Sequence, residues 1–225
     1  MNANAHASLT SSLIAYEDDF LLIIDKPPGM LTHPTVSERG ATLYDLVKNY
    51  YDESGINAGI HPVSRLDRNT SGLVIFAKEP IIQFWLSQRH IHKEYYAVIT
   101  AGLPASSGVI EAPVARKSGS IIERCVDYDN GHYAKTLFEV AGNCNGKTLV
   151  KLVLCTGRTH QLRVHMAHIG CPLLGDNLYG NRGPQSRHAL HAYKLIFNHP
   201  VSDRILEITR KIPQDMEDML YSKTH

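Results

Sequence analysis

The sequence lacks a dominant charge, a long apolar run and any paired-cysteine motif. Its 23 Lys and Arg residues are balanced by 22 Asp and Glu residues, so the formal net charge is only +1. Proteins that simply coat nucleic acid are usually far more basic, so any surface that binds nucleic acid here must be local. No stretch approaches the apolar length that is needed to span a bilayer.

The four cysteines show no C-x-x-C spacing, and they are Cys125, Cys144, Cys155 and Cys171. Free thiols in a reducing cytoplasm explain them better than a structural zinc site does. The polar first residues do not form a secretory signal, so we expect a cytoplasmic protein. A chain of 225 residues favours one large domain. We expect residues 1–15 to be disordered or loosely attached and residues 16–225 to form a single domain.

Short apolar runs alternate with segments of helical periodicity, which predicts a mixed α+β fold. We predict strands at residues 20–25, 72–78, 94–100, 136–141, 148–154, 190–197 and 204–209. We predict helices at residues 41–51, after Pro80, at residues 159–169 and after Pro213. The irregular segment 105–133 is rich in turn residues, which indicates hairpins and a mobile loop around residues 117–120.

The segment Ser64 to Gly72 (SRLDRNTSG) places one acidic residue, Asp67, between Arg65 and Arg68. A polar loop that leads directly into a buried strand is a common way to present a catalytic carboxylate. The alternative is a surface turn in which Asp67 only caps backbone N–H groups. Composition alone favours that second interpretation.

The segment Thr156 to His165 (TGRTHQLRVH) opens a predicted helix that has Leu162 on its apolar face. Its guanidinium at Arg163 lies on another face, where it could meet a carboxylate or an RNA phosphate. An ordinary amphipathic helix with a charged outer face explains the same pattern. The H-x-x-H pairs at residues 165–168 and 188–191 lack the accompanying ligands of a zinc motif, so we reject a metal site.

Residues 158–194 combine basic residues and histidines with one acidic residue, Asp176. The basic residues are Arg158, Arg163, Arg182, Arg187 and Lys194. A locally basic segment that contains tyrosine suits an RNA-facing surface, although a solvated face is the simpler alternative. No glycine-rich nucleotide motif accompanies it, so a nucleotide cofactor is unsupported.

Five motifs, taken in order, resemble the RluA family of pseudouridine synthases. The segment R-L-D-R-N-T-S-G-L at residues 65–73 is similar to the family's H-R-L-D-x-x-T-S-G-L motif, with Ser64 in place of its histidine. The other four are K-P-P-G at residues 26–29, K-E-Y at residues 93–95, G-R-T-H-Q-L-R-V-H at residues 157–165 and P-L-L-G-D-x-L-Y-G at residues 172–180. The resemblance spans most of the chain. The chain is therefore similar to a minimal catalytic domain of this family, without the S4-like RNA-binding domain that many relatives carry.

This resemblance implies a long, mostly antiparallel mixed sheet with flanking helices, which agrees with the α+β pattern. It implies isomerisation of uridine to pseudouridine in ribosomal or transfer RNA, with no cofactor and no metal. At the positions that match the family's motifs, the resemblance implies that Asp67 is the essential carboxylate, that Tyr95 packs on the target base and that Arg163 pairs with Asp67. Arg65 is expected to fill the gap left by the flipped nucleotide.

The residues expected to bind RNA are Arg65, Arg68, Arg158, His160, Arg182 and Arg187. The only partner expected is RNA; neither a membrane nor an obligatory protein partner is evident, which favours a monomer. One alternative is a non-catalytic RNA-binding or RNA-chaperone protein on the same scaffold. Another is a hydrolase of free nucleosides, although no phosphate-cradling loop supports it.

Overall fold

The computed structural model describes residues 9–34, 42–100, 102–180, 185 and 187–222. The strands in these ranges are β1 (Ile14–Glu17), β2 (Leu21–Lys26), β3 (His61–Pro62), β4 (Ser71–Ala77), β5 (His92–Ile99), β6 (Ser107–Glu111), β7 (Val114–Arg116), β8 (Arg124–Val126), β9 (Lys135–Cys144), β10 (Lys147–Leu154), β11 (Leu190–Asn198) and β12 (Ile205–Thr209). The helices there are α1 (Leu43–Ser54), α2 (Pro80–Gln88), α3 (Gln161–His168) and α4 (Gln214–Tyr221). The α+β prediction is confirmed. Across the described residues no helix has the length and apolar character to cross a membrane.

The chain divides into two compact units. The first comprises Met1–Ile91 and Ile196–Arg210, and the second comprises His92–Leu195 and Lys211–His225. The predicted boundary after residue 15 falls inside β1, and Leu9 is already buried. Within the first unit, ordered structure thus includes residues on both sides of this predicted boundary.

The first unit is built on two strands that are buried along almost their whole length. In this unit β2 pairs antiparallel with β1 and with β4, and β3 also pairs with β4. Every residue of β4 is buried, as its uninterrupted apolar run predicts. Helix α1 begins at a capping box in which Thr42 and Asp45 satisfy each other's backbone N–H groups.

The second unit is built on the antiparallel strand order β5-β10-β9-β6, with β11 also paired to β5. The turn between β9 and β10 consists of Asn145 and Gly146, whose φ angles are 51° and 74°. Two positive φ angles define the type I′ hairpin that Asn-Gly favours. The connection is therefore shorter than the predicted strands at residues 136–141 and 148–154 imply, because residues 142–144 continue β9 and Lys147 begins β10.

A separate two-stranded sheet, β7 with β8, confirms a hairpin in the irregular middle segment. Helix α3 packs on this hairpin through a cluster formed by Val114, Ala134 and Val164. Helix α4 packs on β5 through Val98, Met216 and Leu220. The two helices described in the second unit are thus fixed by apolar contacts with neighbouring strands.

Gly175 occupies a backbone position that no other residue type fits. Its φ is +74°, and a Cβ atom there would lie 2.2 Å from the carbonyl oxygen of Arg187. Gly170 has nearly the same φ, +76°, but a Cβ atom there would meet no heavy atom within 4 Å. Comparison of the two positions therefore separates the cost of backbone strain, which both share, from the cost of a steric clash, which only Gly175 would have.

We expect Gly175→Ala to lower the free energy of unfolding by about 3–4 kcal/mol, since the strain of a left-handed alanine adds to a clash with main-chain atoms. Gly170→Ala is the matched control and should cost only about 1–2 kcal/mol, the strain alone. Chemical denaturation of both variants measures the difference. Equal losses would show that the chain around Arg187 relaxes freely.

Candidate active site

Asp67 lies on the loop that leads into β4, between two residues whose backbone is held by buried polar side chains. On one side, the Thr32 hydroxyl donates to the Leu66 carbonyl at 3.2 Å and accepts from the Leu66 N–H at 3.3 Å. On the other side, the Lys26 ammonium donates to the Arg68 carbonyl at 3.0 Å. The backbone of Asp67 is therefore fixed on both sides, as a positioned catalytic group requires.

Lys26 is the last residue of β2, and its side chain is completely buried. Besides the Arg68 carbonyl, its Nζ donates to the carbonyls of Pro27 at 3.0 Å and Met30 at 2.8 Å. These bonds join the K-P-P-G turn to the Asp67 loop. A buried ammonium is tolerated only where such oxygens replace its water.

The other residues of this loop differ in exposure. Arg65 and Arg68 are exposed on either side of Asp67, whose own side chain is half-buried. The Asp67 carbonyl accepts from the Thr70 N–H at 3.1 Å, so the turn expected from composition is present. Ser64, where the family motif has histidine, accepts from the backbone N–H of Ile75 in β4 at 3.3 Å.

Tyr95 lies in the middle of β5, opposite Leu152 of β10, and only 6% of it is exposed. Lys93 precedes it by two residues and therefore projects from the same face of the strand. Burial lowers the pKa of the Lys93 ammonium. This face of β5 presents an aromatic ring and a partly desolvated cation side by side.

Helix α3 does not have the charged outer face of an ordinary amphipathic helix. Its residues 161–166 are all buried, including Gln161, Arg163 and His165. The Gln161 amide donates to the Lys135 carbonyl and the Thr136 hydroxyl, while its oxygen accepts from the Thr156 hydroxyl and the Arg158 N–H. These bonds anchor the helix start and so place Arg163 two residues later.

His165 serves the same anchoring purpose one turn further on. Its Nδ1 lies 2.9 Å from the Thr136 hydroxyl and its Nε2 lies 2.9 Å from the Ala112 carbonyl oxygen. Burial lowers the pKa of this imidazole, so the neutral form is favoured. Both ring nitrogens of the first residue in the 165–168 H-x-x-H pair are thus occupied by protein groups.

Arg163 is held by a two-point ion pair and an aromatic ring. Its Nε and Nη2 each donate to a carboxylate oxygen of Asp176 at 2.8 Å. Its guanidinium carbon lies 4.9 Å from the centre of the Tyr179 ring. The Tyr179 hydroxyl in turn lies 2.7 Å from Nδ1 of His160. The structure therefore brings together His160 and Arg163, two of the predicted site residues, through Tyr179.

Asp176 and Tyr179 were not assigned roles by sequence reasoning, although both lie in the P-L-L-G-D-x-L-Y-G motif. The Asp176 carboxylate also accepts from the N–H groups of Leu178 and Tyr179, at 3.1 and 3.2 Å. Burial by itself would raise the pKa of Asp176, but the hydrogen bonds and charge of Arg163 outweigh it and hold the pKa below its ordinary value. The carboxylate stays ionised in the interior.

The remaining predicted RNA-binding residues fall in different environments. Arg158 is exposed, and its Nε donates to the Tyr133 carbonyl at 3.0 Å. His160 is half-buried and adopts a left-handed conformation, with φ 58°, just before α3. Arg182 lies outside the described residues.

Arg187 requires a correction, because it does not lie on an RNA-facing surface. Only 4% of the residue is exposed, and its guanidinium forms a two-point ion pair with Asp215 at 2.6 and 3.0 Å. It also donates to the carbonyls of His188 and Leu190. A guanidinium with these interior partners stabilises the second unit and is not presented to a phosphate.

We expect Lys26→Met to lower the free energy of unfolding by about 2–4 kcal/mol. The loss of three charge-assisted hydrogen bonds to buried carbonyls is offset only in part by the removal of a buried charge. Lys48→Met is the control, since Lys48 forms an exposed pair with Asp52 and should change stability little. Unfolding in denaturant measures the free energy of unfolding of both variants. Equal stability of the two variants would contradict the structural role of Lys26.

We expect Asp176→Asn to lower the free energy of unfolding by about 3–5 kcal/mol at pH 7, since the buried guanidinium of Arg163 would lose its two-point ion pair with this carboxylate. The folded-state pKa of Asp176 lies below its ordinary value of 3.8, so its stabilisation is complete above that pH and is lost as the pH falls through the folded value. The difference in the free energy of unfolding between wild type and variant should therefore be constant from pH 7 to pH 5 and shrink below about pH 4. A gap that persists undiminished at pH 3 would contradict this assignment.

Comparison with known proteins agrees with the motifs. The model of a family described as RNA pseudouridylate synthase matches residues 20–168. The chain is 37% identical over 217 residues to an uncharacterized RNA pseudouridine synthase, YjbO, of Bacillus subtilis, covering 94% of this chain and 76% of that protein. It is also 37% identical over 222 residues to ribosomal large subunit pseudouridine synthase D of Nitrosomonas europaea, covering 92% of this chain and 64% of that protein.

A solved structure shows the same fold. Human RNA pseudouridylate synthase domain containing 4 superposes with a TM-score of 0.75 at 23% identity, covering 92% of this chain and 91% of that one. The family resemblance drawn from the five motifs is confirmed by the family model and by both relatives. The chain therefore belongs to the RNA pseudouridylate synthase family and is an RNA pseudouridine synthase.

Proposed function

We propose that this protein converts specific uridines of structured RNA to pseudouridine and that Asp67 is the essential carboxylate. The observation that carries the proposal is the clamp on Asp67, whose neighbours Leu66 and Arg68 are held by Thr32 and Lys26. A solvated turn would need no buried cation to hold it. A catalytic group needs its backbone held to within a fraction of an ångström.

The reaction is an isomerisation, so its atoms and electrons balance without an oxidant or a second substrate. The N1–C1′ bond of uridine breaks, the uracil turns while it is still bound, and C5 forms a new bond to C1′. The hydrogen on C5 is then lost, and a proton is gained at N1. A carboxylate can serve either as a nucleophile or as a base in such a sequence.

Tyr95 and Arg163 are proposed for the roles that the family resemblance implies. The buried ring of Tyr95 can stack on an extruded base. Arg163 is proposed to pair with Asp67, as the family resemblance implies. Its ion pair with Asp176 supports this role, because a guanidinium fixed at two points keeps its orientation.

The exposed Arg65 and Arg68 are proposed to contact the RNA beside the target nucleotide. Arg65 is proposed to fill the vacancy that the flipped nucleotide leaves, which lowers the cost of extrusion. Arg158 and His160 are the other described residues that are proposed to bind RNA. Since one relative is a ribosomal large subunit pseudouridine synthase, ribosomal RNA of the large subunit is the first substrate to test, with transfer RNA as the second.

The test replaces Asp67 with Asn, which keeps the size of the side chain but removes its charge. An amide can neither attack carbon nor take up a proton at neutral pH, so pseudouridine formation should fall below detection. The protein should keep its melting temperature and its affinity for RNA. The assay maps pseudouridine in ribosomal and transfer RNA from cells that lack the protein, after incubation with each variant.

Asp19→Asn is the control, because Asp19 is an exposed aspartate of the same unit and its amide should leave turnover unchanged. Near-normal turnover by Asp67→Asn would remove the catalytic assignment of that residue. RNA that gains no pseudouridine from the wild-type protein, yet binds it tightly, would favour the RNA-chaperone alternative.

A further inference from the structure

The second unit contains an open cavity of about 310 Å³ between the β7–β8 hairpin and α3. The residues that matter to its chemistry are Lys117, Arg124, Val126, Val164, Ala167 and Tyr179. Ligand sites in proteins begin at about this volume. Sequence reasoning assigned no role to this cavity.

One part of the cavity is apolar, and the other part carries the charged residues Lys117, Glu123 and Arg124. Val126, Val164 and Ala167 supply the apolar wall, and Tyr179 adds a ring. His168 lies beside them, with the exposed ring of Tyr128 6.4 Å from its own. Unstacked bases of single-stranded RNA are recognised by walls of this kind, which combine apolar and aromatic groups.

Arg124 provides a cation that is available to a phosphate. Its Nη1 donates only to main-chain carbonyls, those of Ile122 at 3.2 Å and Glu123 at 3.1 Å. No carboxylate within the described ranges forms an ion pair with it. Lys117, by contrast, is 2.6 Å from the Glu123 carboxylate. The charge that the cavity offers an anion is therefore chiefly that of Arg124.

Tyr179 connects the cavity to the buried ion pair of the same unit. Its hydroxyl accepts from the Arg124 N–H at 2.8 Å, and the guanidinium of Arg163 lies over its ring. A ligand that packs against Tyr179 would thus contact the ring on which the guanidinium of Arg163 lies.

We propose that this cavity binds one unpaired nucleotide of the RNA substrate, outside the target uridine. The base lies against the apolar wall and Tyr179, and its phosphate is bound by Arg124. This assignment rests on the proposed function, since it takes RNA as the substrate. It makes the β7–β8 hairpin a determinant of which RNA is bound.

The first test fills the cavity. Ala167→Trp occupies the apolar wall without changing any charge, and its control is Ala141→Trp at an exposed position of β9. The probe is a fluorescently labelled single-stranded octauridylate. Ala167→Trp should weaken binding about tenfold, which is within the range for loss of one stacked base, and Ala141→Trp should not weaken it.

The second test removes the cation and does not depend on how well a tryptophan is tolerated. Arg124→Gln should flatten the slope of log affinity against log salt by about 0.7, the value for one phosphate of a single strand. Arg116→Gln is its control, because Arg116 faces Arg124 across the hairpin yet does not line the cavity. Equal slopes for the two variants would overturn the phosphate contact.

The third test locates the probe. The free thiol of Cys125 lines the cavity, whereas that of Cys144 does not. Octauridylate should slow alkylation of Cys125 by iodoacetamide at least about fivefold and leave Cys144 unchanged, as measured by mass spectrometry of the wild-type protein. Unprotected Cys125, or equal affinity of Ala167→Trp and wild type, would overturn the assignment.

These measurements need no turnover, so they separate the two proposals. Activity of Asp67→Asn would defeat the catalytic role and leave binding at the cavity intact. Failure of the cavity tests in a protein whose Asp67→Asn variant is inactive would defeat only the cavity assignment.

Discussion

The buried ammonium of Lys26 is the interaction on which the candidate catalytic loop depends. A charge in the interior of the first unit is stable only because carbonyl oxygens of Pro27, Met30 and Arg68 replace its hydration. Satisfying the charge in this way ties a turn after β2 to a loop before β4. Lysine suits this position because its compact ammonium carries three donors that can point to three separate oxygens. Asp67 is positioned as a consequence, together with the Thr32 clamp on its other side.

In the second unit, too, buried polar side chains hold a segment that carries a candidate site residue. Here they lie on helix α3. Gln161, Arg163 and His165 are buried on α3 because each finds fixed partners, and a half-satisfied set would be costly. The same network gives Tyr179 contacts with His160, Arg163 and the hairpin. A tyrosine shared by an ion pair and an open cavity is a route by which RNA bound at the hairpin could influence the guanidinium that the proposed chemistry uses.

Secondary structure was largely predictable because it depends on local patterns. The apolar run of β4, the Pro80 start of α2 and the stop after β5 were all recognised within two residues. The hairpin of β9 and β10 was predicted with too long a turn, since Asn145 and Gly146 alone suffice for a type I′ geometry. Strand β1 was missed because four residues carry too little periodicity. Arg187 was misjudged, since a count of charges does not distinguish a buried guanidinium from an exposed one.

The order of five motifs by itself determined the family, the reaction class and the candidates Asp67, Tyr95 and Arg163, because motif residues are read directly from the chain. Only the tertiary structure decided what holds them. One partner of Arg163 is thirteen residues away at Asp176, and the partners of Lys26 include a carbonyl at Arg68, forty-two residues away. Such pairings depend on which segments folding brings within 3 Å of each other. Local propensity carries no information about distances of that kind, so the clamp, the buried ion pair and the cavity emerge only from the folded chain.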